Sequence, residues 1–269
     1  MHSLRHSTRA VATEHAVIDS ELSAWRAQAA YLYVLHLDPV SLAWEYLRRS
    51  PRYQASWRKS GGGLDRRAGQ AWGLRYLEDP HRDSRIAEPV WDPLPDSNVY
   101  LIPHDEPMPQ DRFHLWSIPG DKSLIHHGAA VQLTARRWRR VQRASLAPDL
   151  ADEEPYAFCV PAGGNVRERL RAVSDFIGCY HVVQPPAAQD EPARPSRSEL
   201  IHLRMLQALD GAAANASHRQ IAAAVFGESV AQIQWRPDGE LRAQVRYLLK
   251  RGRVLRESGY RSLLRTHSN

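Results

Sequence analysis

Between Gln184 and Ser196 four prolines fall within thirteen residues, with no apolar repeat among them. Proline has no amide hydrogen to donate and holds φ near −65°, so such a stretch joins neither a helix interior nor the middle of a sheet. It reads as an extended linker, 184–197. The 269-residue chain is thereby split into a long body and a short C-terminal segment, each of which must bury its own apolar surface. Charge divides at the same place. Residues 1–196 carry 24 basic and 24 acidic side chains, and residues 197–269 carry 12 and 6, so the C-terminal segment holds the whole net charge of +6. A small basic segment on a neutral body is the footprint of a nucleic-acid-binding module. A solvated basic face without a partner is the alternative, and charge alone does not choose.

Apolar residues make up 43% and charged residues 25% of the chain, enough to build cores rather than a disordered polymer. No apolar run approaches the roughly 18 residues of a membrane span. Met1 to His15 lacks the apolar centre of a secretory signal. The two cysteines, Cys159 and Cys179, exclude a disulfide scaffold and a four-cysteine zinc site. These features lead to the expectation of a cytoplasmic protein with no membrane association and no cofactor.

Along the body, residues 1–20 read as a disordered N-terminus and residues 21–60 as a helical partner or interaction module. A first helix carries Trp25, Ala29, Leu32, Tyr33 and Leu35 and ends near Asp38-Pro39. A second opens at Ser41 as a capping serine and stops at Ser50-Pro51, and a short element follows from Tyr53 to Trp57. Trp44, Tyr46, Leu47 and Tyr53 are the candidate residues for an interdomain or partner contact, with a plain core role as the alternative. Residues 61–183 form a middle region. Its short apolar runs, Val99 to Ile102, Phe113 to Ile118, Val131 to Thr134 and Tyr156 to Val160, predict a small antiparallel sheet. Asn165 to Ile177 is a helix by its apolar spacing, with Gly178 closing it.

Residues 198–266 predict three helices. Ser198 to Leu209 is the first, ended by Asp210-Gly211. Ser217-His218-Arg219-Gln220 is a capping box that opens the second, closed by Gly227. After a long turn over 228–237, Asp238 caps the third, which Gly252 stops. In that third helix Leu241, Val245, Leu248 and Leu249 share one face, and Arg242, Arg246 and Lys250 follow an i, i+4, i+8 spacing beside it. A basic third helix is the logic of a helix-turn-helix module, in which that helix enters the major groove. Arg242, Arg246 and Lys250 face the groove in this reading, with Gln244 as a base reader and Arg219, Arg236, Arg251 and Arg253 on phosphates. A basic helical bundle that binds protein remains the alternative. The fold class expected is α+β and multidomain: a small helical module, short central antiparallel strands with a helix, and an all-α helix-turn-helix variant.

The run from Ile221 to Gly227, then Trp235 and Leu241 to Leu264, resembles an extended-turn helix-turn-helix family of transcriptional activators and antiactivators of integrative and conjugative elements. The run from Ser41 to Tyr53 resembles the partner domain often found before it, and the fusion is similar to the excision activators of such elements. The resemblance implies a C-terminal face that binds double-stranded promoter DNA and an opposite face packed on the N-terminal module. It also implies an antiactivator protein or RNA polymerase as a further partner. Family antiactivators consist of the C-terminal domain alone, with an acidic surface. Here the C-terminal segment is basic and the N-terminal module is present, which favours an activator of excision or transfer genes over an antiactivator-like protein that binds a partner and not DNA.

Other signals are weak. There is no Walker loop, and Gly61-Gly62-Gly63 lacks a following Lys-Ser, so it reads as a loop. Ser56-x-x-Lys59 lacks the companion motifs of a nucleophile site. His126-His127 has no metal-binding companions. Arg136 to Arg140 with Arg143 reads as an exposed strand edge or as a DNA-backbone contact. The carboxylates are scattered, so no enzyme is expected. Oligomeric state is left open, since no heptads mark an interface.

Overall fold

The computed structural model describes residues 24–62, 65–105, 112–137, 140–163, 165–180 and 194–265. The expected linker, 184–197, and the expected disordered N-terminus, 1–20, lie almost wholly or wholly outside them. The described elements are a 3-10 helix over Gln28–His36, α1 (Pro39–Leu47), α2 (Pro51–Lys59), α3 (Arg66–Gln70), β1 (Val99–Pro103), a 3-10 turn (Leu115–Ser117), β2 (Asp121–His126), β3 (Val131–Arg137), β4 (Arg140–Leu146) and β5 (Tyr156–Cys159). They continue with α4 (Val166–Tyr180), α5 (Arg197–Ala213), α6 (His218–Phe226), α7 (Glu228–Gln234), α8 (Glu240–Val254), a π-helical turn (Leu255–Gly259) and α9 (Tyr260–Leu263). The protein is α+β and multidomain, with a five-stranded sheet and a C-terminal helical region, as its sequence implies.

The chain forms two compact units, each built from pieces distant in sequence. Residues 37–193 with 260–269 make the sheet-containing unit, and residues 1–36 with 194–259 make the helical unit.

The 3-10 helix ends at His36, near Asp38-Pro39 as expected, and in the sheet-containing unit the same pair begins α1. The Asp38 carboxylate accepts the Ser41 N–H at 3.3 Å, and Pro39 occupies the first turn, where its missing donor costs nothing. The capping residue is therefore Asp38, three positions before the expected Ser41. Ser50-Pro51 likewise starts α2, with Ser50 as its cap. Asp38 also binds Arg143 of β4, at 2.6 Å to one carboxylate oxygen. Burial pushes the Asp38 carboxyl up, while Arg143 and Ser41 pull it further down, so the net shift is below the usual carboxylate range.

The strands run in the order β2-β3-β4-β1-β5. Neighbours are antiparallel except β1 and β4, which are parallel, with Val99 opposite Ala144 and Leu101 opposite Leu146. One face buries Val99, Leu101, Leu133, Ala135, Ala144 and Leu146 with Phe176 of α4. The expected strand Phe113 to Ile118 instead holds the 3-10 turn Leu115–Ser117, with Phe113 and Ile118 on either side of it buried in that core and an isolated bridge from Arg112 to Pro155 before it. Apolar side chains there mark burial without strand pairing. Two further strands, β2 and β4, carry too much charge to read as strands. Arg136 and Arg137 lie on β3 and Arg140 and Arg143 on β4, two interior strands of the sheet and not its edges: Arg136 pairs with Glu88 and Arg143 with Asp38. Gly178 sits inside α4 and does not close it.

In the helical unit, Ser196 caps α5 through a complete capping box with Glu199. The helix runs past Asp210-Gly211 because Gly211 packs against Trp25: a Cβ there would lie 2.9 Å from the indole ring. The Ser217–Gln220 capping box opens α6, and Gly227, at φ +102°, is the single residue between α6 and α7. The expected long turn over 228–237 thus holds a helix, α7. α8 is capped at Gly239 without a side-chain bond, not by Asp238, and it continues through Gly252. Gly252 is buried against Leu209, where a Cβ would stand 3.1 Å from the Leu209 Cγ. The core collects Leu203, Leu206 and Leu209 of α5, Ile221 and Val225 of α6, Ala231 of α7, Leu241, Val245, Leu248 and Leu249 of α8, and Trp25, Tyr31, Val34 and Leu35 from the N-terminal segment.

Candidate nucleic-acid interface

The candidate interface is built on α8. At about 100° per residue, its buried side chains Leu241, Val245, Leu248, Leu249 and Gly252 fill a sector of about 100°. Arg242, Arg246, Lys250 and Arg253 fall in an adjoining sector of about 80°. The apolar stripe anchors the helix to α5 and α6, so the basic stripe is presented from a packed scaffold. Gly252 matters here because the absence of a side chain lets α8 lie close on Leu209 of α5.

The other elements hold this frame. Gln207 is fully buried on α5 and donates from Nε2 to the Trp25 carbonyl at 3.1 Å and to the Ala224 carbonyl at 3.2 Å. Tyr31 donates to Asp210 Oδ2 at 2.7 Å. The Arg204 guanidinium lies 5.3 Å from the centre of the Phe226 ring. His202 is pushed down to about 4, first by burial and then by the Arg251 charge, so it is neutral at physiological pH.

The sequence-derived candidates have different environments. Arg246, Lys250 and Arg253 are exposed on α8, Arg219 is exposed in the first turn of α6, and Arg236 is exposed in the loop before α8. Arg242 is half-buried and donates to the Pro237 carbonyl, which ties it to that loop. Gln244 lies on the opposite flank of α8 from Arg246, with Nε2 donating to Glu240 Oε1 at 3.2 Å. Arg251, on that same flank, donates to the Tyr247 hydroxyl at 3.0 Å. Trp44, Tyr46, Leu47 and Tyr53 lie in the sheet-containing unit, and all four are fully buried. The Trp44 Nε1–H donates to the Arg82 carbonyl at 3.0 Å, and the Tyr53 hydroxyl donates to the Glu78 carbonyl at 2.6 Å. Their role in this structure is to form core.

Sequence reasoning missed Tyr247 and Val254, which are 50% and 58% exposed. Extending the α8 period from Ala243 by four and then seven residues would have found both on the outward face. It also missed how each unit is completed. Tyr260 of α9 is buried in the sheet-containing unit, donating to the Trp72 carbonyl at 2.9 Å. Trp25 and Tyr31 complete the helical unit. Among the described residues there is no cluster of three or more metal-ligating side chains, and no helix is long and apolar enough to cross a membrane.

Residues 159–265 match a family model described as T6SS, Transcription factor, DNA binding domain. Residues 24–77 match a proteobacterial transcriptional regulator-like domain, and residues 96–141 match a domain of unknown function. No curated protein matches the chain. The chain therefore carries a DNA-binding domain of transcription-factor type and a regulator-like domain, which together support a DNA-binding transcriptional regulator.

Proposed function

We propose that this protein is a sequence-specific transcriptional activator of excision or transfer genes on a mobile genetic element, binding promoter DNA with α8 in the major groove. The observation that carries the DNA-binding part is the stripe of Arg246, Lys250 and Arg253, exposed on a helix whose other side is locked into the core. An α-helix with its side chains is about 10–12 Å across and the major groove about 12 Å wide, so one helix enters. The exposed Arg219 and Arg236 flank it as phosphate contacts. The activator reading draws on the basic C-terminal segment and the N-terminal regulator-like domain, and RNA polymerase or an antiactivator is the protein partner it calls for.

The test is a gel-shift titration of the full-length protein on promoter regions flanking its own gene and on a scrambled duplex, at two salt concentrations. The expected result is a preference of roughly a thousandfold for the native promoter. With about six phosphates neutralised, log affinity falls against log salt with a slope near −5. Arg246→Glu is expected to abolish binding with the helical circular-dichroism signal intact. Unchanged binding by that variant rules out this placement of α8. A reporter gene behind the bound promoter separates activation from repression. Weak, salt-sensitive binding that is equal on both duplexes overturns the sequence-specific reading.

A further inference from the structure

We infer that Tyr247 reads base edges, and that Ala243, Tyr247 and Val254 form the apolar ridge on which this protein discriminates DNA sequence. The inference rests on the proposed DNA-binding reading and assigns within it which residues position and which specify.

Its basis is where the side chains stand around α8. Taken at about 100° per residue, Ala243, Tyr247 and Val254 fall within about 40° of one another, nearly opposite the buried stripe. They form the crest of the helix, and they are exposed. The arginines stand to the sides, Arg246 and Arg253 on one and Arg251 on the other, and Lys250 adjoins the crest about 20° from Ala243. A helix that nearly fills the major groove brings its crest to the base edges and its flanks to the phosphate walls. Phosphate contacts set register and orientation, and base contacts carry sequence information. The geometry therefore sends the arginines to the backbone and leaves the crest for the bases.

The chemistry of the crest fits that task. Apolar groups meet the C5-methyl of thymine, the one apolar feature of the groove. The Tyr247 hydroxyl adds a donor and an acceptor for a neighbouring base edge. It also accepts a hydrogen bond from Arg251 Nη1 at 3.0 Å, which restrains the ring. Folding does not require these apolar side chains outside, because the opposite stripe already supplies the core. Cations on both sides of an apolar crest match a polyanion whose groove floor sets thymine methyl groups among polar base edges, which is the major groove of a thymine-containing duplex.

The experiment is selection by the full-length protein from a pool of random-sequence duplexes, followed by fluorescence-anisotropy titration of the enriched duplex and of a scrambled one. The wild type is expected to enrich a motif containing thymine. Tyr247→Ala is expected to change the preferred base at one or two positions and to lower the specific-to-scrambled affinity ratio about tenfold, with scrambled binding unchanged. Replacing the motif's thymines by deoxyuridine weakens the wild type and weakens Tyr247→Ala less. Arg246→Ala weakens both duplexes alike. Should Tyr247→Ala fail to fold, Tyr247→Gln tests the same apolar contact with a helix-compatible side chain. An unchanged motif and ratio in the folded Tyr247 variant overturn the inference and leave the DNA-binding reading intact. A wild type that binds the pool but enriches no motif overturns both.

Discussion

Glu45 is fully buried between Arg48 and Arg49 and accepts the Ser84 N–H at 2.8 Å. Burial alone would raise its pKa, but Arg49, Arg48 and the Ser84 amide reverse that and hold it at about 2. The carboxylate joins α1 to the segment around Ser84, and Glu45→Gln leaves the buried site without its charge and two partly buried guanidinium groups short of their counter-charge. The expected loss is about 3–5 kcal/mol in chemical denaturation of the full-length protein. Because the folded pKa lies below the unfolded value, Glu45 contributes its stability above about pH 4.5 and loses it as the pH falls toward 2. His202 acts in the same direction at higher pH. The unfolded chain takes up a proton at this residue below about pH 6.5, and the folded chain does so only near 4, so stability falls as the pH drops through that window. His202→Gln is expected to flatten thermal melts between pH 4 and 6.5, and an unaltered pH profile would refute the assignment.

At the scale of elements, the decisive positions are those where two segments approach closely. Gly211 is such a place: a Cβ would stand 2.9 Å from the Trp25 ring and 3.1 Å from Ile221 Cγ1. In an isolated helix Gly→Ala gains about 1 kcal/mol. Here Gly211→Ala is expected to cost a net 1–3 kcal/mol through overpacking, read as a lower denaturation midpoint. A stabilised protein would show that α5 and the Trp25 segment have room to part. The same cause explains which boundaries were legible. The Ser217–Gln220 capping box and Gly227 were read correctly because capping is a local matter of a few backbone donors. Gly211 and Gly252 were misread as stops, since in isolation a glycine is a terminator and only a neighbour across the core makes it a site of close packing. Asp38-Pro39 and Ser50-Pro51 were ambiguous for another reason: the pair that ends one helix also suits the cap and first turn of the next.

At the scale of the molecule, each unit is completed by residues far away in the chain. Trp25, Tyr31, Val34 and Leu35 are buried in a unit otherwise made of residues after 193, and Tyr260 is buried in the unit made of residues 37–193. Removing residues 2–36 is therefore expected to lower the stability of the C-terminal helices by on the order of 5 kcal/mol, from the four lost apolar side chains. Hydrogen exchange of the α5 and α8 amides measures this, and unchanged protection would show that the N-terminal segment adds nothing to that core.

The basic character of the C-terminal segment, its helical periodicity and the α+β class were determined by the sequence itself, because charge and amphipathic spacing are properties of neighbouring residues. Which strands pair, that β1 lies parallel to β4, and that Trp44, Tyr46, Leu47 and Tyr53 are core were decided by the tertiary structure. Burial is a relation between segments remote in the chain, and one strand's pattern is compatible with several partners until the others are in place.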